Sequence, residues 1–175
     1  MLIRIAFALL TAISLSSCAN LNKEPDFLVT FHMEGNPIDG QTMVFPEHVG
    51  YPPKIHHFQI TPEFSHLQIE SFYPFESGDG KTHGLLVVLS GTGQRRLFSA
   101  TSINQGKIML VKLDGRTCDY LKIDGPIRDG IIKIGQGVTE EQLEFMREEW
   151  TELDDPPFAP SEREGQDALF DPMLR

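Results

Sequence analysis

The sequence has few cysteines, a shortage of basic residues and no apolar run long enough to span a membrane. Two cysteines, Cys18 and Cys118, allow at most one disulfide. Lys and Arg number 15 against 25 Asp and Glu, so the formal net charge is −10. This balance argues against nucleic-acid binding, because phosphate contact requires a basic surface. The apolar stretch near the N-terminus has about ten residues, whereas a spanning helix needs about twenty.

The N-terminus has the layout of a signal peptide over residues 1–17. Arg4 supplies a positive charge, an apolar section follows over residues 5–13, and small residues lead to Cys18. A charged start, an apolar middle and small residues at the cleavage site are typical of export signals. The sequence therefore predicts that residues 1–17 are removed and that the remaining chain is exported.

The tetrapeptide Leu15-Ser16-Ser17-Cys18 resembles the lipobox of bacterial lipoproteins. In that family the cysteine receives diacylglycerol, the signal is cut immediately before it, and the new amino group is acylated. The resemblance implies that Cys18 is the lipidated first residue of the mature protein and attaches it to a membrane. Several acyl chains anchor stably where one binds only marginally. Ala19, instead of the aspartate typical of inner-membrane retention, favours the periplasmic face of the outer membrane; a secretory signal with a chance cysteine is the alternative.

The mature chain divides into three parts. Residues 18–26 form a short polar tether, and residues 27–153 carry the apolar and turn patterns of a folded domain. Residues 154–175 are acidic and rich in proline, a composition that predicts a disordered tail. A folded part of this size buries about two-thirds of its unfolded surface, so it needs neither a metal nor a disulfide for stability.

Patterns within residues 27–153 predict an α+β fold, with an antiparallel sheet of about five strands and two packed helices. A continuous apolar run at residues 85–89 predicts a strand buried on both faces. Helical spacing predicts a helix over residues 95–103, and Thr139 with Gln142 forms a capping box that begins a second helix. Asp114-Gly115 predicts a two-residue hairpin. Other segments with strand character are residues 27–31, 42–45, 55–60, 67–72, 108–113, 116–123 and 130–134.

The order of these patterns, clearest over residues 84–146, resembles the head part of the first periplasmic domain of SecD, a membrane subunit of the bacterial protein-export apparatus. The family's Thr-x-x-Asn-x-Gly-Lys helix end is matched at residues 101–107, and its apolar strand with an Asp-Gly hairpin at 108–115. Its Ile-x-x-Pro-Ile-x-x-Gly segment is matched at residues 123–130, ahead of the helix start at Thr139. The resemblance implies a SecD head-like fold. It implies no active site, because the shared residues are mainly turn glycines, a proline and apolar strand positions.

Histidines are the main candidates for metal or catalytic chemistry. Five lie near one another in the sequence: His48, His56, His57, His66 and His83. Adjacent His56 and His57 point to opposite faces of a strand, so they cannot both bind one metal directly. A site of His57, His66 and Glu63 has wider spacing than most zinc pairs. Surface or strand histidines are therefore favoured, and we assign no metal ligand, cofactor site or catalytic residue.

Cys118 lies in an alternating pattern at residues 116–120, which predicts a small core residue. No helix start is nearby to lower its pKa, so it lacks the setting of a catalytic thiol. The sequence also has no Gly-x-Ser-x-Gly motif for a serine nucleophile.

These observations favour a non-catalytic, lipid-anchored module that binds a protein or peptide partner in the cell envelope, with a connection to protein export implied by the SecD resemblance. The main alternative is a small envelope enzyme or metal-binding protein that uses His57 and its neighbours. A third possibility is a spacer whose acidic tail, residues 154–175, reaches other envelope components.

Overall fold

The computed structural model describes residues 27–157. The predicted signal peptide, Cys18, the tether and residues 158–175 of the predicted tail lie outside these residues. Among the helices of the described part, none has the length and apolarity of a membrane-spanning segment.

Two α-helices and ten strands follow one another along residues 27–157. The helices are α1 (Gly91–Ile103) and α2 (Glu140–Glu149). The strands are β1 (Val29–Met33), β2 (Val44–Val49), β3 (Lys54–Gln59), β4 (Phe64–Ser65), β5 (Ile69–Glu76), β6 (His83–Leu89), β7 (Ile108–Leu113), β8 (Arg116–Lys122), β9 (Ile131–Val138) and β10 (Thr151–Glu152). Short 3-10 helices lie at Pro37–Asp39 and His66–Gln68.

The strands form two four-stranded sheets and a two-stranded ribbon. The first sheet has the order β4-β1-β7-β8, and the second has the order β10-β5-β6-β9. Strands β2 and β3 pair with each other along their full length and form a two-stranded sheet that we call the ribbon. All pairings are antiparallel except that of β10 with β5.

The α+β class with two helices is confirmed, whereas the single sheet of about five strands is wrong. Strands β7 and β8 pair with β1 from the start of the domain, so they form a sheet separate from that of β5, β6 and β9. Periodicity identifies a strand without identifying its partner. In addition, β4 and β10 have two residues each, which is too short to produce a periodic pattern.

One main core joins both sheets and both helices. Alternate residues of β1 point into it, with Phe31 fully buried, and Leu85 and Val87 of β6 enter from the second sheet. Leu97 of α1 and Leu143 of α2 complete it. Helix α1 begins at Gly91 rather than at residue 95, because the Ser90 side chain caps it by accepting from the Gly93 N–H.

The two sheets approach each other where β8 lies beside β9. The Gly135 N–H donates to the half-buried Asp119 carboxylate, and the Cys118 thiol donates to the Gln136 carbonyl at 2.9 Å. Gly137 has φ +93, and a Cβ there would lie 2.7 Å from Cys118 Sγ and 3.2 Å from its carbonyl oxygen. Glycine at this position therefore allows the close approach of the two strands.

The turn between β5 and β6 is organised by Asp79. Its carboxylate accepts from the Lys81 N–H at 2.8 Å, the Thr82 N–H at 2.9 Å and the Thr82 hydroxyl at 2.7 Å, and also from the Ser77 hydroxyl. These donors stabilise the ionised form and hold the pKa of Asp79 well below its usual range. Thr82 Oγ1 also accepts from the Gly137 N–H at 2.9 Å, which ties the turn to β9.

We expect Gly137→Ala to lower the free energy of unfolding by about 1–3 kcal/mol, because alanine is strained at this φ and collides with Cys118. Gly125→Ala is the matched control, since its Cβ meets nothing within 4 Å. Urea denaturation of both variants measures the difference. Equal stability of the two would show that the strand approach does not depend on glycine.

We expect Asp79→Asn to destabilise the protein at neutral pH. The destabilisation should be smaller at acidic pH. A carboxyl with a lowered folded-state pKa stabilises the fold above its unfolded pKa, about 3.9, and loses that effect as pH falls toward the folded value. When thermal unfolding is measured from pH 7 to pH 2, the melting temperatures of the wild-type protein and of Asp79→Asn should therefore converge below about pH 4. The exposed Asp155 supplies the control variant, Asp155→Asn. A stability difference between Asp79→Asn and the wild-type protein that stays constant across this pH range would contradict a stabilising role for the ionised carboxylate.

Candidate functional site

The structure separates the histidines that the sequence places close together. His56 Nδ1 bonds to Glu34 Oε1 at 2.8 Å, and His83 Nε2 bonds to Glu140 Oε2 at 3.0 Å. His57 follows His56 in β3 and takes the opposite face of the ribbon, as alternation predicts. Within residues 27–157, no group of three or more His, Cys, Asp or Glu side chains has an arrangement that could hold a metal ion.

His32, which was not among the sequence candidates, is the most buried histidine of the described chain. Its Nδ1 lies 2.8 Å from the Gln59 carbonyl oxygen, and its Nε2 lies 3.0 Å from Thr30 Oγ1. Burial lowers the pKa of His32 and favours the neutral ring. Its place in β1, alternating with core residues, is the sequence signal that could have identified it. The contacts assign it a structural role between β1 and the end of β3.

Cys118 is held in an unreactive setting. The side chain is partly buried, packs against the main core and donates to the Gln136 carbonyl. Burial, with a smaller contribution from the neighbouring Asp119 carboxylate, raises the pKa of the Cys118 thiol to about 12. The thiol therefore stays protonated at physiological pH, which makes it a poor nucleophile.

Exposed apolar side chains concentrate on the ribbon and its flanking loops. Among residues 27–157, nine large hydrophobic side chains are exposed, and five of them lie within residues 38–60. We call these five the ribbon surface: Ile38 (87% exposed), Met43 (62%), Tyr51 (98%), Ile55 (59%) and Ile60 (46%). Isolated exposed hydrophobic residues are common on any protein, whereas groups of them that form a contiguous surface often mark an interaction site.

The ribbon is firmly seated on the first sheet. Phe58 is fully buried and packs with Val49 against Leu110, on the face of β7 turned away from the main core. The Gly35 N–H donates to the His57 carbonyl at 2.8 Å, and Glu34 Oε2 accepts from the Ile108 N–H at 3.0 Å. The ribbon that carries these exposed residues is therefore held on β7 by its own small core.

A shallow depression of about 230 Å³ lies at the base of the ribbon. Its apolar lining comes from Met43, Val44 and Ile60, and Asp39 contributes a carboxylate. Pockets for small ligands are usually about 300–1,000 Å³, so this depression is smaller than a typical cofactor site. Its size suits a single side chain of a larger partner.

One edge of the ribbon is interrupted by proline. Pro46 lies in β2, and proline has no N–H to donate to an added strand. Proline at sheet edges limits pairing with strands of other molecules. At this edge, recognition through side chains is thus favoured over addition of a partner strand.

No protein-family model matches the chain, and no curated protein matches it. Solved structures similar to it include two of SecDF. One is of SecDF, described as a membrane component that enhances protein export, with a TM-score of 0.47 and 15% identity over 67% of this chain and 59% of that chain. The other is of SecDF in its super-membrane-facing form, with a TM-score of 0.49 and 13% identity over 71% of this chain and 19% of that chain.

The chain thus spans less than two thirds of either similar structure. Both are structures of SecDF.

Proposed function

We propose that this protein is a lipid-anchored, non-catalytic module of the bacterial cell envelope that binds a protein or peptide partner through the ribbon surface. The observation that carries the proposal is the concentration of exposed apolar side chains in the ribbon and its flanking loops, although Phe58 and Val49 of the ribbon are already buried against the first sheet. Because Phe58 and Val49 already satisfy the ribbon's contact with the first sheet, the stability of the fold does not require Tyr51 or Ile55 to be apolar. Their exposure fits contact with another molecule.

The anchor in this proposal is Cys18, on the strength of the lipobox resemblance. Residues 18–26 separate the lipidated residue from Phe27, where the described domain begins. Nine residues span at most roughly 30 Å when fully extended, so the tether would keep the domain close to the membrane. An outer-membrane location and a SecD head-like fold, with the connection to export that it implies, belong to the same proposal.

The alternative, an enzyme or metal protein based on His57, receives less support from the geometry. His56 and His83 are each paired with a glutamate, and His66 lies outside β3, in the 3-10 helix that follows β4. The depression beside the ribbon contains no histidine or cysteine. We therefore keep the binding module as the favoured function.

Intact mass of the membrane-fraction protein tests the anchor. We expect a wild-type species that starts at residue 18 and carries the mass of several acyl chains. Cys18→Ser should lack that species, and Cys118→Ser should retain it, which makes the second cysteine a matched control. Unlipidated wild-type protein in the soluble fraction would overturn this part of the proposal.

Site-specific photo-crosslinking in cells tests the ribbon surface. A photoreactive residue replaces Ile55 on the ribbon, and the same residue replaces Ile103 on α1 as the control. Ile103 is the more exposed of the two, at 81% against 59%, so simple accessibility favours the control. We expect discrete protein adducts from position 55 and few from position 103. Equal adducts at both positions, or none at position 55, would contradict binding through the ribbon.

A further inference from the structure

We infer that the depression beside Asp39 recognises an extended peptide segment in which an apolar side chain is flanked by lysine or arginine. This inference rests on the proposed function and specifies the chemistry of the partner. It follows from the charge, the lining and the local order of the depression.

The apolar part of the site consists of exposed side chains around a small volume. Met43 and Ile60 line the depression, and Ile38, which is 87% exposed, directly precedes Asp39 in the same short 3-10 helix. A volume of about 230 Å³ accommodates one large side chain. Burying a leucine- or phenylalanine-sized group there removes apolar surface of both molecules from water, which stabilises the complex.

The polar part of the site has hydrogen-bonding groups that the folded chain does not use. Within residues 27–157, the Asp39 carboxylate receives no hydrogen bond and forms no ion pair with another side chain. The side chains of Thr42, Gln59 and Thr61 line the same depression and likewise have no partner in this part of the chain. A partner can therefore donate hydrogen bonds to these groups without breaking any internal contact.

Charge complementarity selects a cationic partner. Asp39 is the only charged residue among those that line the depression, and the formal charge of the whole chain is −10. A lysine or arginine next to the inserted apolar side chain would meet the carboxylate at the apolar rim. An anionic lipid surface, or a second copy of this acidic chain, would instead bring like charges together.

The segment that carries Asp39 is ordered before any partner binds. The Asn36 side chain accepts from the Ile38 N–H at 3.0 Å and caps the 3-10 helix. The N–H groups of Met43 and Val44 both donate to the Gly40 carbonyl, at 3.0 and 3.1 Å. This local order reduces the conformational entropy that binding would otherwise cost.

Fluorescence anisotropy with the purified mature protein in detergent micelles provides the test. Three labelled peptides share the same leucines, which are flanked by lysine in the first, serine in the second and glutamate in the third. We expect the lysine peptide to bind most tightly and the glutamate peptide most weakly, with the difference reduced by salt.

Variants connect that preference to the site. Asp39→Asn should weaken the lysine peptide by about two- to fivefold, the range of one exposed ion pair, and Asp39→Lys should reverse the order of the lysine and glutamate peptides. Met43→Ser should weaken all three peptides, because the apolar contact is common to them. Glu148→Lys reverses an exposed carboxylate on α2 and should leave binding unchanged.

Equal affinity for the lysine and glutamate peptides, or an order that Asp39→Lys does not change, would overturn the inference. Binding to anionic vesicles in place of the peptides, or self-association of the protein through this face, would also overturn it. Crosslinks from position 55 that persist in Asp39→Lys cells, together with no peptide preference, would refute the inference and leave the proposed function standing. If position 55 gives no more crosslinks than position 103 in a protein that keeps Asp39, the proposed function itself is refuted.

Discussion

The pairing of β1 with β7 is the contact on which the other parts of the structure depend. Five residue pairs, from Val29 opposite Leu113 to Met33 opposite Met109, join the start of the domain to its middle. One face of the pair, with Phe31 and Val111, enters the main core. On the other face, Leu110 of β7 packs against the ribbon, and β1 presents the polar side chains of Thr30 and His32. The strand pair therefore contributes to the core of the domain and supports its candidate binding surface.

The candidate surface is separated from the polar networks that stabilise the fold. Asp119 at the sheet junction, Asp79 in the β5–β6 turn and Arg147, which bonds to three glutamates around α2, all have partners within the chain. Asp39 and the apolar residues near it do not. Side chains with satisfied contacts contribute to stability, whereas exposed apolar groups beside an unpaired carboxylate contribute little to it. This division makes the ribbon surface open to substitution without loss of the fold.

Much of the local structure was predictable because it depends on short segments. The Thr139–Gln142 capping box is present, and Asp114 and Gly115 both have positive φ, as the hairpin requires. The apolar run at residues 85–89 forms a central strand of the second sheet. The candidate site was less predictable. Ile38, Met43 and Ile60 are residue types that usually lie in protein cores, and no local sequence pattern shows that they remain exposed.

The sequence by itself determined the cap of the second helix, the hairpin turn, the strand at residues 85–89 and the motif that predicts lipidation of Cys18, because each depends on neighbouring residues. Only the tertiary structure decided the division into two sheets, since β1 finds β7 across nearly 80 residues of chain. It also decided that His56 binds Glu34, that Cys118 lies beside Gly137, and that Asp39 stands unpaired beside Met43 and Ile60. The first two contacts join residues about twenty positions apart, and the surroundings of Asp39 include Ile60 from the other side of the ribbon, so all three depend on how the chain packs.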